Sequence, residues 1–399
     1  MLVYSFYESD NRVMRYAQAL AGRGDQVDVI ALCHGSQSPA FETMDGVNVY
    51  RIQRRLRDEK NKFAYLYRLL KFCAKSFFYL SRLHLKRRYD LVHVHNVPDF
   101  LVFSASFPKL MGAKIILDIH DILPEFFANK FRRPESSFYV RLLKIVEKLS
   151  TRFADHVIVS NHLWSDQITV RSVSKRKCTA FINYVDLNSF RSPRTRNDDR
   201  FILLYHGGLQ RHQGLDLAIR AFNQICNQMR NAEFHIYGDG NMKPELRALI
   251  RKLGLSNRVF LRETVPAREV AGIVANADLG IVPKRADSYG NEAYSTKIME
   301  FMAEGVPVIV SKTKVDSFYF NDSVVRFFES DNENDLAKAM LNLMKNRELR
   351  ESLVRHANVY VAQNNWNIRK HKYLNLVDSL VSSANFQPTS LSKGSTVCQ

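Results

Sequence analysis

No run of about 18 uncharged apolar residues occurs in the sequence, so no helix long enough to cross a bilayer is expected. The opening residues, Met1-Leu2-Val3-Tyr4-Ser5-Phe6, lack the basic start and long apolar core of a secretory leader and read as a short strand. Cysteine is scarce. The five residues Cys33, Cys73, Cys178, Cys226 and Cys398 are odd in number, scattered over 399 positions and without metal-ligand spacing. That argues against a disulfide framework and for a reduced, cytoplasmic chain. Acidic residues are outnumbered: 40 Asp+Glu against 58 Lys+Arg leave a net charge of +18. Such a balance suits polyanionic partners, with nucleic acid, anionic lipid and phosphorylated small molecules all open at this level.

What is present is globular. With 46% hydrophobic and 25% charged residues the chain is neither disordered nor fibrous. At roughly 100–200 residues per domain its length predicts two domains. β-branched apolar runs alternate with amphipathic helical stretches, beginning with strands at Leu2–Phe6, Val27–Leu32, Val47–Ile52, Leu91–His95, Lys114–Ile119, His156–Ser160 and Thr179–Ile182. The polar stretch 183–200 interrupts the pattern, which restarts at Phe201–His206 and continues to Val324–Phe328. This alternation predicts an α/β protein of two doubly wound parallel sheets facing across a cleft. The predicted boundaries are an N-terminal domain over 1–184, a linker over 185–200 and a C-terminal domain over 201–365. A C-terminal helix over 366–383 is expected to pack back on the first domain, before a disordered tail over 384–399.

In open parallel sheets ligands sit beyond the carboxyl ends of the strands, so the loops there are the candidate sites. The strand ending at His206 runs into Gly207-Gly208-Leu209-Gln210-Arg211 before a helix. Adjacent glycines let backbone N–H groups approach an anion, and Arg211 can offer a fork to phosphate oxygens; an ordinary Gly-rich turn reads equally well. A second segment, Glu292-Ala293-Tyr294-Ser295-Thr296-Lys297-Ile298-Met299-Glu300, places two carboxylates eight residues apart around a helix start, with Ser295 as the expected N-cap. Glu292 then lies in the loop and Glu300 on the second turn, offset to grip two separate diols of one extended ligand. Lys297 can neutralise phosphate between them.

That segment resembles the Glu, seven residues, Glu signature of retaining GT-B glycosyltransferases of family four. The resemblance extends through Asp10-Asn11-Arg12-Val13, Asp90-Leu91-Val92-His93-Val94-His95, Asp118-Ile119-His120-Asp121 with Pro124-Glu125, Asn183-Tyr184-Val185-Asp186, and Glu304-Gly305-Val306-Pro307. It implies the GT-B fold, with an NDP-sugar donor in the cleft and a saccharide or lipid-linked acceptor. Glu300 would take the ribose hydroxyls and Glu292 those of the donor sugar. Gly207, Gly208, Arg211 and Lys297 would hold the diphosphate, and His120 would sit beside the transferred sugar. The resemblance implies retention of anomeric configuration and a metal-independent EC 2.4 transferase without a further cofactor. Where many members carry Arg and Lys in the phosphate loop, this chain has Gly208 and Gln213; the Gly-Gly pair usual after the first strand is replaced by Tyr7-Glu8-Ser9-Asp10. His93 and His95 alternate onto one face of a strand and are expected to pack near the cleft rather than bind metal.

The segment 62–88 carries part of the positive charge. At roughly 100° per residue, Phe63, Leu66, Leu70, Cys73 and Phe77 share one face, expected to pack on the sheet. Arg68, Lys71, Lys75 and Arg82 oppose it, flanked by Tyr65, Phe72 and Tyr79, with Lys86-Arg87-Arg88 extending the patch and Lys130, Arg132 and Arg133 nearby in sequence. Cations beside outward aromatics suit an anionic membrane surface, so attachment to the inner face of the membrane through this helix is expected. A solvated basic face is the plainer reading. Other readings of the chain are a GT-B scaffold without transfer activity, or a sugar-phosphate synthase or phosphorylase of the same fold. A nucleic-acid binder would explain the charge, but no recognised nucleic-acid module is present.

Overall fold

The computed structural model describes residues 1–33, 38–55, 62–131 and 133–385. Its first sheet contains β1 (Leu2–Val3), β2 (Val27–Cys33), β3 (Phe41–Met44), β4 (Val47–Arg54), β5 (Leu91–His95), β6 (Lys114–Ile119), β7 (His156–Val159) and β8 (Cys178–Ala180), in the order β3-β4-β2-β1-β5-β6-β7-β8. The second contains β9 (Phe201–His206), β10 (Ala232–Tyr237), β11 (Val259–Arg262), β12 (Leu279–Val282), β13 (Val308–Ser311) and β14 (Arg326–Phe328), in the order β11-β10-β9-β12-β13-β14. All pairings in the second sheet are parallel, and its order reverses between β9 and β12, the switch point at which such sheets bind ligands. Strand β3 has no counterpart in the sequence reading. It pairs antiparallel with β4, and its four residues alternate between exposed and half-buried, which leaves little apolar signal.

The helices of the first half are α1 (Asn11–Ala21), α2 (Lys62–Arg87), α3 (Ser106–Leu110), α4 (Leu123–Lys130), α5 (Phe138–Phe153) and α6 (His162–Arg171). Those of the second half are α7 (Leu215–Ile225), α8 (Lys243–Lys252), α9 (Ala267–Ala275), α10 (Thr296–Ala303), α11 (Lys314–Tyr319), α12 (Glu333–Lys345) and α13 (Arg347–Gln363), before the closing α14 (Trp366–Asn385). Residues Ala384 and Asn385, expected in a disordered tail, continue α14; 386–399 lie outside the described residues. No helix among the described residues is long and apolar enough to cross a membrane.

The chain divides into two compact units. One comprises Met1–Ile119, Val146–Ile158 and the chain from His371 onward; the other comprises His120–Ile145 and Val159–Lys370. In the first, the buried Arg12 guanidinium donates to both oxygens of the buried Asp118 at 2.7 and 2.8 Å. His95 Nδ1 lies 3.2 Å from Asp118 Oδ2, the rings of His93 and His95 stack at 4.2 Å, and Tyr373 OH meets His93 Nδ1 at 3.0 Å. His93, His95 and Asp118 are the three-ligand cluster found among the described residues. The Arg12 fork engages both Asp118 oxygens, the bidentate geometry of a strong charge-assisted pair.

The second sheet is covered by apolar clusters built from Leu203, Tyr205, Phe222, Phe234 and Leu336 in one case, and Leu204, Val282, Phe301, Val308 and Val310 in the other. Alternate residues of β9, Leu203 against Leu204, enter opposite clusters, as period-two side-chain alternation requires.

Helix α2 presents a different face from the one expected. Leu69, Phe72, Ser76, Leu80 and His84 are buried, whereas Leu66 and Leu70 are exposed. The sequence offers two apolar stripes offset by part of a turn, and packing selects the second. Phe72 sits edge-on to Tyr4 at 5.0 Å, and Ser104 donates to the Cys73 carbonyl. Arg87, read as part of a free basic patch, instead donates to both oxygens of Asp28 at 2.6 and 2.9 Å. Arg132 lies outside the described residues.

Candidate active site

The site lies within the second unit, where β9 and β12 diverge. β9 ends at His206, and Gly207 turns the chain with φ +125°, a conformation that favours glycine. A Cβ at Gly207 would lie 2.5 Å from Cε of Lys297, so the missing side chain is the space the lysine occupies. Lys297 sits in the first turn of α10. Its Nζ lies 5.3 Å from the centre of the Tyr205 ring and donates to Gln213 Oε1 at 3.5 Å. The Tyr205 hydroxyl donates to the Gly208 carbonyl at 2.7 Å and lies 3.1 Å from Gln213 Oε1, tying the glycine turn to the start of the following helix.

The electrostatics of this corner are unusual. Part of the Lys297 side chain reaches the surface, but its ammonium is enclosed by protein, and desolvation pulls its pKa down from 10.5 to about 8. Glu300 opposes that shift and Lys284 adds to it. One turn along α10, Glu300 Oε2 lies 3.5 Å from His206 Nε2, without the alignment of a hydrogen bond. Burial, then the Lys297 charge, lowers the His206 pKa to about 3, so its imidazole is neutral near pH 7. His212 is likewise lowered by burial, and its Nε2 meets Gln213 Nε2 at 2.9 Å, acting as the acceptor in its neutral form.

Ser295 occupies the expected N-cap position of α10, but its hydroxyl makes no capping bond and is buried without a hydrogen-bond partner. The first N–H groups of the helix are thus left without a capping side chain next to a desolvated ammonium, an arrangement that favours an anion. Arg211 is exposed in the turn Arg211–Gln213.

Glu292 lies in the loop before α10, as its spacing predicts, but its carboxylate is already engaged. Gln167 donates to Oε2 and Lys314 to Oε1, the latter at 3.0 Å, while Asn161 donates to the Glu292 carbonyl at 3.0 Å. The loop is held from beneath by Lys284, just beyond β12. The buried Lys284 Nζ lies 2.9 Å from Asp316 Oδ2 and donates to the Ala293 carbonyl at 2.6 Å. Thr313 completes the anchor by donating to Asp316 at 2.6 Å.

His120 follows β6 and is half-buried; its carbonyl accepts from Ser160 at 2.8 Å. Its neighbour Asp121 accepts from the Tyr289 hydroxyl at 2.6 Å, and the His212 ring meets the face of Tyr289 edge-on at 5.4 Å. Gly207, Lys297, Glu300 and the unforeseen His206 therefore form one corner, and Glu292 is held in the loop that leads into α10. Lys284, Asp316, Asn161 and Gln167 were not singled out by sequence; only Lys284 carried a local signal, its place just after a strand.

Comparison with known proteins agrees with this architecture. Residues 9–183 match the glycosyl transferase 4-like domain and residues 188–359 match the glycosyl transferases group 1. The chain belongs to the group 1 glycosyl transferases. This glycosyltransferase is 25% identical over 314 residues to an uncharacterized glycosyltransferase of Methanocaldococcus jannaschii, covering 74% of each chain. Its GT-B fold is shared with sucrose-phosphate synthase from Thermosynechococcus elongatus, at a TM-score of 0.77 and 19% identity over 96% of this chain and 98% of that one. It is shared too with Anabaena HepE in complex with UDP and glucose, at a TM-score of 0.72 and 16% identity over 94% and 98%.

Proposed function

We propose that this glycosyltransferase moves a sugar from an NDP-sugar to a saccharide or lipid-linked acceptor, with retention of configuration and without a metal ion, in the assembly of surface polysaccharide or glycolipid. The observation that carries the reading is the desolvated Lys297 ammonium seated on Gly207, one turn from Glu300, at the switch point of the second sheet. In this reading the donor diphosphate lies over Gly207 and Gly208 against Lys297, with Arg211 reaching in from solvent. Glu300 takes the ribose hydroxyls, Glu292 the hydroxyls of the sugar and His120 the space beside it. The HepE structure, which contains UDP and glucose, supports a nucleotide-sugar reading of the shared fold.

The chemistry asks for stabilised charge on the leaving group. As the bond from the anomeric carbon to the diphosphate oxygen breaks, negative charge grows on that oxygen, and a cation in a poorly solvated corner stabilises it more than one in water would. The acceptor hydroxyl attacks on the same face, its oxygen bonding to the anomeric carbon while its proton passes to the departing diphosphate. No carboxylate pair is needed to hold a metal, because Lys297 and the α10 N–H groups supply the positive charge. The acceptor side is expected at the inner face of the membrane, with α2 contributing lipid contact through its exposed Tyr67, Leu70 and Phe78 beside Lys71 and Arg82.

Calorimetric titration of UDP, GDP and ADP into the protein in EDTA tests the reading, repeated with Glu300→Ala. One nucleotide is expected to bind selectively and to lose at least tenfold in affinity in the variant, which corresponds to about 1.4 kcal/mol. Absence of binding by all three would move a scaffold without transfer activity into first place.

A further inference from the structure

Helix α5 is inverted relative to a helix of a water-soluble surface. It turns Glu147, Ser150 and Thr151 inward, each at most 1% exposed. Outward it turns Phe138 at 73%, Leu142 at 46%, Ile145 at 56% and Leu149 at 51% exposure. At roughly 100° per residue these four side chains fall within a narrow stripe along the helix. Arg152, Arg141, Lys148 and Lys144 follow one edge of the stripe in that angular order, and the helix's only acidic residue is the buried Glu147. The stripe continues at its N-terminal end into an aromatic group. Tyr139 is 58% and Phe131 37% exposed, and both neighbour Phe127, with ring centres at 6.4 and 4.6 Å.

Ordinary surfaces carry scattered apolar residues singly, not a continuous ridge backed by buried polar groups. A protein core does not explain the ridge either, because it is exposed. An apolar stripe bordered by cations along one side, with aromatics at its end, matches the interface of a bilayer. The stripe enters the acyl boundary, the basic edge meets anionic headgroups, and the aromatic rings sit between. We propose that the exposed face of α5, continued by Phe131 and Tyr139, docks on an anionic lipid membrane. This inference deepens the functional reading by naming a lipid-binding surface, and it rests on that reading for a membrane-side acceptor. Phe127 and Phe131 belong to α4 and the residue after it, a few residues beyond His120 and Asp121, so the docked surface is continuous in sequence with the proposed acceptor side.

The test is flotation of the full chain with vesicles of equimolar phosphatidylglycerol and phosphatidylcholine at low salt, against vesicles of phosphatidylcholine alone. The parent is expected to float with the anionic vesicles only, and to be released as salt screens the attraction. The variant Leu142→Ser/Ile145→Ser/Leu149→Ser is expected to lose at least tenfold in partitioning (about 1.4 kcal/mol). Arg141→Gln/Lys148→Gln, which leaves the apolar stripe intact, is expected to lose a smaller, salt-dependent part. Nucleotide binding without vesicles, measured on every variant, reports folding and the donor reading separately. Flotation of the triple variant like the parent overturns the proposal. So does a parent that ignores anionic vesicles but forms a dimer that the triple variant abolishes, since a second copy then covers the face. If Leu70→Ser/Phe78→Ser in α2 abolishes flotation while the α5 variants do not, this inference fails and the α2 reading stands. If flotation behaves as expected but no nucleotide binds, the donor reading fails and this one stands.

Discussion

At the scale of single residues, Lys297 carries the most informative chemistry. Its folded-state pKa of about 8 lies below its value in an unfolded chain, so it loses its proton within an accessible pH range. A bound diphosphate holds the ammonium charged. Above pH 8, nucleotide binding must therefore take up a proton, and the affinity is expected to fall by up to about tenfold per pH unit there. Below pH 8 the lysine is already charged and contributes no slope. Titration of the selected nucleoside diphosphate from pH 7.5 to 9.5, in buffers of different ionisation enthalpy, reads both the slope and the proton. Lys297→Met is expected to bind weakly at every pH and to lose the slope; a slope that persists in the variant assigns it to another group. Gly207→Ala approaches the same contact from the other side. Its Cβ would meet Lys297 Cε and its φ would be strained, so the variant is expected to fold while losing at least tenfold in nucleotide affinity, checked by the same titration.

At the scale of elements, the loop that carries Glu292 owes its position to a buried ion pair rather than to its own sequence. Lys284 beyond β12 joins Asp316 in α11 to the Ala293 carbonyl, and α11 closes the loop again through Lys314 N–H to Asn291 and Lys314 Nζ to Glu292. Lys284→Met would leave the Asp316 carboxylate buried beside Thr313 alone, at an expected cost of about 3–5 kcal/mol. The double variant Lys284→Met/Asp316→Leu is expected to recover most of that stability, because neither charge then lies buried alone. It should not recover donor affinity, because the Ala293 anchor is still missing. Urea midpoints together with nucleotide titration separate the two effects, and recovery of both by the double variant would show the anchor to be irrelevant.

The same loop marks how far the sequence can be read. Glu292, Ser295, Lys297 and Glu300 were legible because their spacing is local to one helix start, and the glycine turn because it follows a strand. Asn161, Gln167 and Asp316 reach the loop from more than 20 residues away, and no local pattern announces such partners. Both sheets were legible through alternation, whereas β3, short and at an edge, was not. Helix α2 shows a further limit: two apolar stripes share one helix, and the segments packed against it decide which is buried. Helix α5 shows the converse, since its apolar period is equally clear whether that face meets a core or a bilayer.

At the scale of the whole molecule, the buried histidines set the response to acid. His93, in the first unit, is held well below the ordinary histidine pKa by burial, then by His95, against the pull of Asp118; His206, in the second, is lowered to about 3. An unfolded chain protonates both near pH 6.5, while the folded chain keeps them neutral. The unfolded state thus binds more protons below that value, and stability falls as the pH falls through it. Between pH 6.5 and 5.5 each of these two is expected to remove about 1 kcal/mol, on top of what the other lowered histidines, His84, His212 and His235, remove. His206→Gln and His93→Gln each take away one titrating group without adding a charge. Each is expected to lessen the loss by about 1 kcal/mol, whatever its effect on stability at neutral pH. Urea midpoints at the two pH values, for the parent and both variants, decide the matter, and an unchanged pH response in either variant would remove that histidine from the account. Because the two histidines belong to different compact units, the comparison also shows which unit yields first to acid: the one whose histidine, once replaced, moves the lower transition.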